Sequence, residues 1–246
     1  MLFCGKTNVG KVRDNNQDSF FADYIFGGAF LAVVCDGMGG ANGGNIASEL
    51  AVSTFVEAVT AGIENLEREK LSPDGAEGVI SHAVSLANER IYEKAQAEKE
   101  LEGMGTTLVC LLLYKDMAYI ANIGDSRLYV VTKDTIAQIT HDHSYVQTLV
   151  DKGKLLPDEA KNHPNKNVIM RAVGTDTEVR ADFFKLLYEG KGFLLCSDGL
   201  SNFVIDEEMQ RIIREAATPD IAVDALIKKA NKNGGSDNIT AVLVKN

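Results

Sequence analysis

Five stretches of the sequence set an aspartate among small residues at the edge of an apolar run. L-A-V-V-C-D-G reaches Asp36 and F-L-L-C-S-D-G reaches Asp198, while A-Y-I-A-N-I-G-D-S-R carries Asp125 just past a run and G-G-S-D-N-I-T places Asp237 just before one. R-D-N-N-Q-D-S-F adds Asp18 at the entry to another. Singly, Asp-Gly and Ser-Asp are ordinary turn formers that reverse a chain. Repeated at so many strand ends, they carry a second reading. If the ends converge, carboxylates crowd together, and like charges in a partly dry site are tolerated when cations lie between them. Oxygen donors without thiolate or imidazole suit Mg²⁺ or Mn²⁺ over Zn²⁺.

Five glycines fall within the eight residues that follow Asp36, Gly37 to Gly44. A glycine directly after the aspartate lets the Gly37 carbonyl turn toward a cation and leaves room for water and a bulky anion. Arg13 lies close in sequence to Asp18. Its planar fork matches phosphate oxygens, so it reads either as a phosphate clamp beside the carboxylates or as an ion pair with Asp14 or Asp18.

The elements that must position these residues are legible as runs and periods. β-branched apolar runs predict strands at Phe30 to Cys35, Thr107 to Leu113, Ala118 to Ile123, Leu128 to Val131, Thr135 to Ile139, Phe193 to Cys196 and Ile239 to Val244. Many are apolar on both faces and need cover on both. Helical spacing of Ile46, Leu50, Phe55, Val56 and Val59 predicts a helix over Asn45 to Val59, and Ile80, Ala83, Val84, Ala87 and Ile91 predict one over Gly75 to Ala97. Asp206 is expected to cap a C-terminal helix and Thr218, followed by Pro219, another. Consecutive strands joined by short turns pair antiparallel. The expected fold is therefore α+β, a four-layer αββα sandwich of two antiparallel sheets flanked by helices, with residues 1–246 as one domain. Residues 140–175 hold three of the four histidines, two prolines and one short helical pattern from Ser144 to Lys152, and they are expected to form a surface flap.

Composition narrows the classes of partner. A formal charge of −10, from 35 acidic and 25 basic residues, repels phosphate backbones and anionic membranes. No apolar run approaches the roughly 20 residues of a membrane span, and the N-terminus lacks a secretory pattern, so a cytoplasmic location is expected. The scattered Cys4, Cys35, Cys110 and Cys196 read as free, structural thiols. Other phosphate chemistries leave no trace. G-K-T at Gly5 to Thr7 lacks the upstream glycine of a phosphate-binding loop, no cysteine has an arginine six residues on, and no two aspartates are spaced two apart. H-D-H at His141 to His143 offers two imidazoles without further zinc ligands.

Taken together, V-R-D-N-N-Q-D-S-F, V-V-C-D-G-M-G-G, G-M-G-T-T, I-G-D-S-R, H-D-H-S-Y-V through N-H-P at Asn162 to Pro164, L-C-S-D-G-L and G-G-S-D-N-I-T resemble the protein phosphatase 2C family, metal-dependent serine/threonine phosphatases, in its compact bacterial form. The resemblance covers nearly the whole chain. It implies hydrolysis of phosphoserine and phosphothreonine by a hydroxide activated at two Mn²⁺ or Mg²⁺ ions. By that similarity Asp36 bridges both ions, the Gly37 carbonyl completes the second site, Asp198 and Asp237 hold the first, Asp125 helps to bind a third, and Asp18 acts through metal-bound water. Arg13 would bind the phosphate and Asn238 would support the neighbouring ligand.

Two departures matter. Gln17 stands where many members carry Glu, and Met38 where the eukaryotic branch has a histidine that protonates the leaving alcohol. General acid catalysis supplies about 10²- to 10⁴-fold, against up to about 10²¹-fold for phosphate monoester hydrolysis, so Met38 does not abolish the chemistry. His163 is a substitute acid or a residue that orders the flap. The alternative to an enzyme is a catalytically silent phosphoprotein-binding regulator of the same fold, and D-G-M-G-G alone also matches the glycine box of a GHKL-type ATPase. The implied partners are phosphorylated proteins and a serine/threonine kinase, with the chain a monomer and no nucleic acid or membrane involved.

Overall fold

Among the described residues, eleven strands form two antiparallel sheets. The first runs β1 (Leu2–Asn8), β11 (Ile239–Lys245), β10 (Gly192–Cys196), β7 (Arg127–Val131) and β8 (Ile136–Gln138). The second runs β2 (Asp18–Tyr24), β3 (Phe30–Met38), β5 (Leu108–Tyr114), β6 (Met117–Ile123) and β9 (Asp182–Leu187), with the short β4 (Gly105–Thr106) pairing to the end of β3. The computed structural model describes residues 1–69, 72, 75–161 and 163–245, with the backbone alone for 40–42, so Asn162 of the N-H-P stretch lies outside the described residues.

The alternation of side chains along a strand assigns the layers. In β3, Leu31, Val33 and Cys35 pack against α1 (Gly40–Arg68) and α2 (Gly75–Ala97). Phe30, Ala32 and Val34 face the other way, onto Phe193, Leu195, Val242 and Val244 of the first sheet. The outer face of that sheet, through Leu194, Cys196, Ala241 and Leu243, meets α5 (Asp198–Ser201), α6 (Asp206–Glu215) and α7 (Pro219–Lys232). Three apolar clusters therefore separate four layers, as expected. Each fully buried Leu, Ile or Phe contributes about 1.5–3 kcal/mol of burial free energy. All four cysteines are free, with Cys35, Cys110 and Cys196 buried.

Several expectations change in detail. α1 begins at Gly40 and ends at Arg68, well beyond the span read from periodicity. Its glycines offset their poor helix propensity by allowing close approach, since a Cβ on Gly44 would lie 2.7 Å from the Gln17 side chain and one on Gly43 3.0 Å from Met104. The same helix corrects the membrane reading, because its 26 residues Gly43–Arg68 are long and apolar enough by composition to cross a bilayer. Ala47, Ala51, Phe55, Val59 and Ile63 are nevertheless fully buried in the cluster under β3. Asp206 does not cap α6. Ile205 holds that position without a side-chain bond, and Asp206 opens the first turn with Glu207 and Glu208, where acidic charge complements the helix dipole. Thr218 does cap α7, accepting from the Ile221 N–H at 3.3 Å. β1 and β9 escaped the sequence reading because both are sheet-edge strands without a fully buried residue.

Residues 140–175 contain α3 (Tyr145–Asp151), capped by the Ser144 hydroxyl, and α4 (Pro157–Ala160). The ends of this segment are not surface. Thr140, Asp142, His143, Ser144, Ala172 and Val173 are buried, and antiparallel bridges join Ser144 to Ile169 and Thr106 to Val173.

Candidate active site

Each acidic residue is delivered by a different strand end, and the ends gather at one end of the sandwich, between the sheets. Asp36 lies on β3, which does not stop there. The strand continues through Gly37 and Met38, paired to Thr106 and Gly105 of β4. It can continue because residue 37 is glycine: a Cβ there would fall on the Gly44 carbonyl oxygen and crowd that of Gln17. The Asp36 backbone is fixed by three bonds, its N–H donating to Thr107 Oγ1 and its carbonyl accepting from Thr106 Oγ1 and the Thr107 N–H, each at 2.9 Å. Asp198 opens α5 directly after β10, and Asn202 Nδ2 donates to its Oδ2 at 2.9 Å. Asp237 precedes β11, and Asp125 sits in the turn from β6 to β7.

Arg13, Asp36, Gly37, Asp125, Asp198 and Asp237 line one open cleft of about 550 Å³. Arg13 pairs with neither Asp14 nor Asp18. Its Nη2 donates to Asp237 Oδ2 at 2.8 Å, across 224 residues of sequence. Asn238 holds the loop that carries Arg13: Oδ1 accepts from the Gln17 N–H at 2.7 Å, and Nδ2 donates to the carbonyls of Val9 and Asn15 at 3.0 Å. Asn238 thus supports the Arg13 loop, and its N–H donates to the adjoining Asp237 Oδ1 at 2.9 Å.

Asp18 is not part of the cleft lining. It stands behind it, directly opposite Asp36 in the β2–β3 ladder. Oδ2 accepts from Ser197 Oγ at 2.7 Å and Thr240 Oγ1 at 2.6 Å, both from the first sheet. Oδ1 is buried without a hydrogen-bond partner among the described residues.

The electrostatics follow from this crowding. Burial, then the charge of Asp18, drives Asp36 well above the carboxylate range. Burial pushes Asp18 up to about 7, against the pull of the Thr240 and Ser197 hydroxyls. Asp198 rises to about 6 through burial and Asp237, and Asp125 to about 8 through burial and Asp198. The crowding of these carboxyls, and the orphaned Asp18 oxygen, mark a place where positive charge is wanted. Hard-oxygen donors of this kind fit Mg²⁺ or Mn²⁺. Among the described residues no three His, Cys, Asp or Glu side chains close into a compact ligand shell; the carboxylates line the cleft instead.

The histidines lie elsewhere. His141 Nε2 meets Asp151 at 2.9 Å. His143 Nδ1 accepts from the Gly124 N–H at 3.0 Å, and its Nε2 lies 3.1 Å from Asp182 Oδ2. His163 Nδ1 accepts from the Asn165 N–H, and its ring lies 6.1 Å from that of Tyr145. No histidine is among the residues lining the cleft. Sequence reasoning missed Asn167 and Ile169, which reach the cleft from the 140–175 segment, and the hydroxyls of Ser197, Thr240 and Thr107. The hydroxyl residues stood inside the quoted motifs, but each serves an aspartate of another motif, distant in sequence.

The family comparison matches the model described as Protein phosphatase 2C over residues 7–243. Serine/threonine phosphatase stp of Listeria innocua is 37% identical, over 98% of this chain and 94% of that relative. The crystal structure of serine/threonine phosphatase Stp1 from Staphylococcus aureus superposes with a TM-score of 0.87 at 37% identity, covering 100% of this chain and 95% of the other. The catalytic domain of serine threonine protein phosphatase PstP, in complex with two manganese ions, superposes with a TM-score of 0.81 at 34% identity, covering 99% and 96%. The chain belongs to the protein phosphatase 2C family.

Proposed function

We propose that this chain hydrolyses phosphoserine and phosphothreonine in proteins, using two divalent cations, Mn²⁺ or Mg²⁺, held between its sheets. Phosphoprotein phosphatase activity follows from family membership. The observation that carries the metal-dependent reading is the gathering of Asp36, Asp198, Asp237 and Asp125 on one cleft with Arg13. Asp36, Asp198, Asp237 and the Gly37 carbonyl would hold the two ions, Asp125 would contribute to a third, and Asp18 would act from behind Asp36. Bound there, such cations supply Lewis acidity and lower the pKa of water toward neutrality.

The protein's own groups do the rest. Arg13, exposed at the cleft mouth, offers its guanidinium fork to the phosphoryl oxygens. The bond to Asp237 holds it at the site until a phosphate arrives. Met38 and Ile169 supply apolar wall. With no imidazole on the cleft lining, the leaving oxygen takes its proton from water, which forgoes about 10²- to 10⁴-fold of rate. The substrates are proteins phosphorylated by a serine/threonine kinase, and the chain acts as a cytoplasmic monomer.

Phosphate release from a phosphothreonine peptide tests the reading. Release with Mn²⁺ that EDTA stops, and that Asp36→Asn or Asp198→Asn removes from a folded protein, is the expected result. Full activity in either variant would refute it, and peptide binding without release would leave the non-catalytic regulator in its place.

A further inference from the structure

Asp18 is held by a chain of hydrogen bonds that begins at residues outside the cleft lining. Asn16 Nδ2 donates to Thr7 Oγ1 at 2.8 Å, Thr7 Oγ1 meets Thr240 Oγ1 at 2.7 Å, and Thr240 Oγ1 meets Asp18 Oδ2 at 2.6 Å. Thr7 and Thr240 are direct cross-strand partners of β1 and β11.

The direction of the chain is fixed by chemistry. An amide NH₂ only donates, and each threonine hydroxyl has a single proton. Asn16 therefore occupies an acceptor site of Thr7, whose proton points to Thr240, whose own proton points to Asp18. Ser197 is arranged likewise, its Oγ accepting from the Thr240 N–H at 3.0 Å and donating to Asp18 Oδ2 at 2.7 Å. Two hydroxyl protons are thus aimed at one carboxylate oxygen, and both donors belong to the opposite sheet. Hydrogen bonds in such chains polarise one another. The arrangement fixes the carboxyl plane and leaves Oδ1 as the oxygen without a partner.

We propose that Thr7, which does not line the cleft, is a positioning residue that acts through Thr240 to hold Asp18 Oδ2 and so keep Oδ1 oriented for the cation site, with Asn16 steadying the relay by donating to Thr7 while its Oδ1 accepts from the Asp18 N–H at 3.2 Å. The inference rests on the metal-dependent reading above. Thr7 lies on an exposed part of β1, nine residues from Asn16 in sequence, and touches no cleft carboxylate itself.

Mn²⁺ affinity, measured by calorimetric titration of the metal-free protein, tests this apart from turnover. Loss of an outer-sphere partner typically weakens metal binding about 10- to 100-fold, which is expected for Thr240→Val; Thr7→Val, one bond further out, is expected to lose about three- to tenfold on the same scale. Thr7→Ser and Thr240→Ser restore the hydroxyl and are expected to bind as wild type. Thermal melting of the metal-free variants separates unfolding from a specific effect, and a loss matched by Thr7→Ser would assign it to packing and overturn the inference. Wild-type affinity in Thr7→Val would overturn it alone. Failure of the unaltered protein to bind Mn²⁺ would sink this inference and the functional reading together.

Discussion

Asp18 and Asp36 are cross-strand partners, placed directly opposite each other on β2 and β3. Like charges in that relation destabilise a sheet, and here Asp18 is buried while Asp36 faces the cleft. The fold thus places repulsion at the end of the sandwich where the proposed function puts cations.

Removing one of the two charges should relieve that repulsion. Asp36→Asn in EDTA-treated protein is expected to melt about 2–4 °C above wild type, the shift that about 1 kcal/mol produces in a domain of this size. Added Mn²⁺ should raise the melting temperature of wild type and leave the variant unmoved. Differential scanning calorimetry with and without the ion reads both effects, and a variant less stable than metal-free wild type would contradict the account.

Acidity gives a second expectation. Asp198, Asp18 and Asp125 rise from an ordinary value of 3.8 to about 6, 7 and 8. A carboxyl whose pKa is higher folded than unfolded binds more protons in the folded state, so stability falls as pH rises. The contribution is complete below pH 3.8 and is lost progressively up to about pH 8. Urea midpoints of the metal-free protein should therefore decrease from pH 5 to pH 8, and saturating Mn²⁺ should abolish or reverse the trend. A flat metal-free profile would show that these groups are not strained by their surroundings.

Arg13 and Asp237 make a third test. Because the guanidinium occupies Asp237 Oδ2 at 2.8 Å, Arg13→Ala is expected to raise KM for a phosphopeptide about tenfold or more, in line with loss of a charge-assisted contact. Mn²⁺ affinity should stay level or tighten, since a competitor for the carboxylate has gone. Weakened Mn²⁺ binding would mean that the arginine organises the ligands instead.

Gly199 offers a steric test. A Cβ there would fall on the Asn238 carbonyl oxygen, so Gly199→Ala must part α5 from the residues before β11, at a cost of about 1–3 kcal/mol. Reduced thermal stability together with lost Mn²⁺ affinity is expected, because Asp198 and Asp237 flank that contact. Wild-type melting would show that the backbone yields more easily.

Much of this was legible in the sequence, for identifiable reasons. The buried strands announced themselves because β3, β5, β6 and β11 are apolar on both faces, a demand only a layered fold meets. The aspartates were legible because acid at a strand end is conspicuous against Val, Leu and Ile. β1 and β9 were not, since an edge strand that buries no residue completely has no strong alternation to read. Nor could spacing say that Arg13 would meet Asp237 across 224 residues, or that Thr7 would lie beside Thr240. Those relations arise from the pairing of β1 with β11, which is decided by tertiary contacts. Asp206 failed as a cap for a local reason, because the chain enters α6 one residue earlier, at Ile205.

β1 and β11 pair along their whole length, Leu2 with Lys245 through Asn8 with Ile239. Arg13 reaches its carboxylate, and Asp18 the Thr240 hydroxyl, only where this one ladder brings distant parts of the sequence together. Fraying of β1 would therefore strip both groups of their partners at once, while the two helical layers and most of the apolar interior stayed in place.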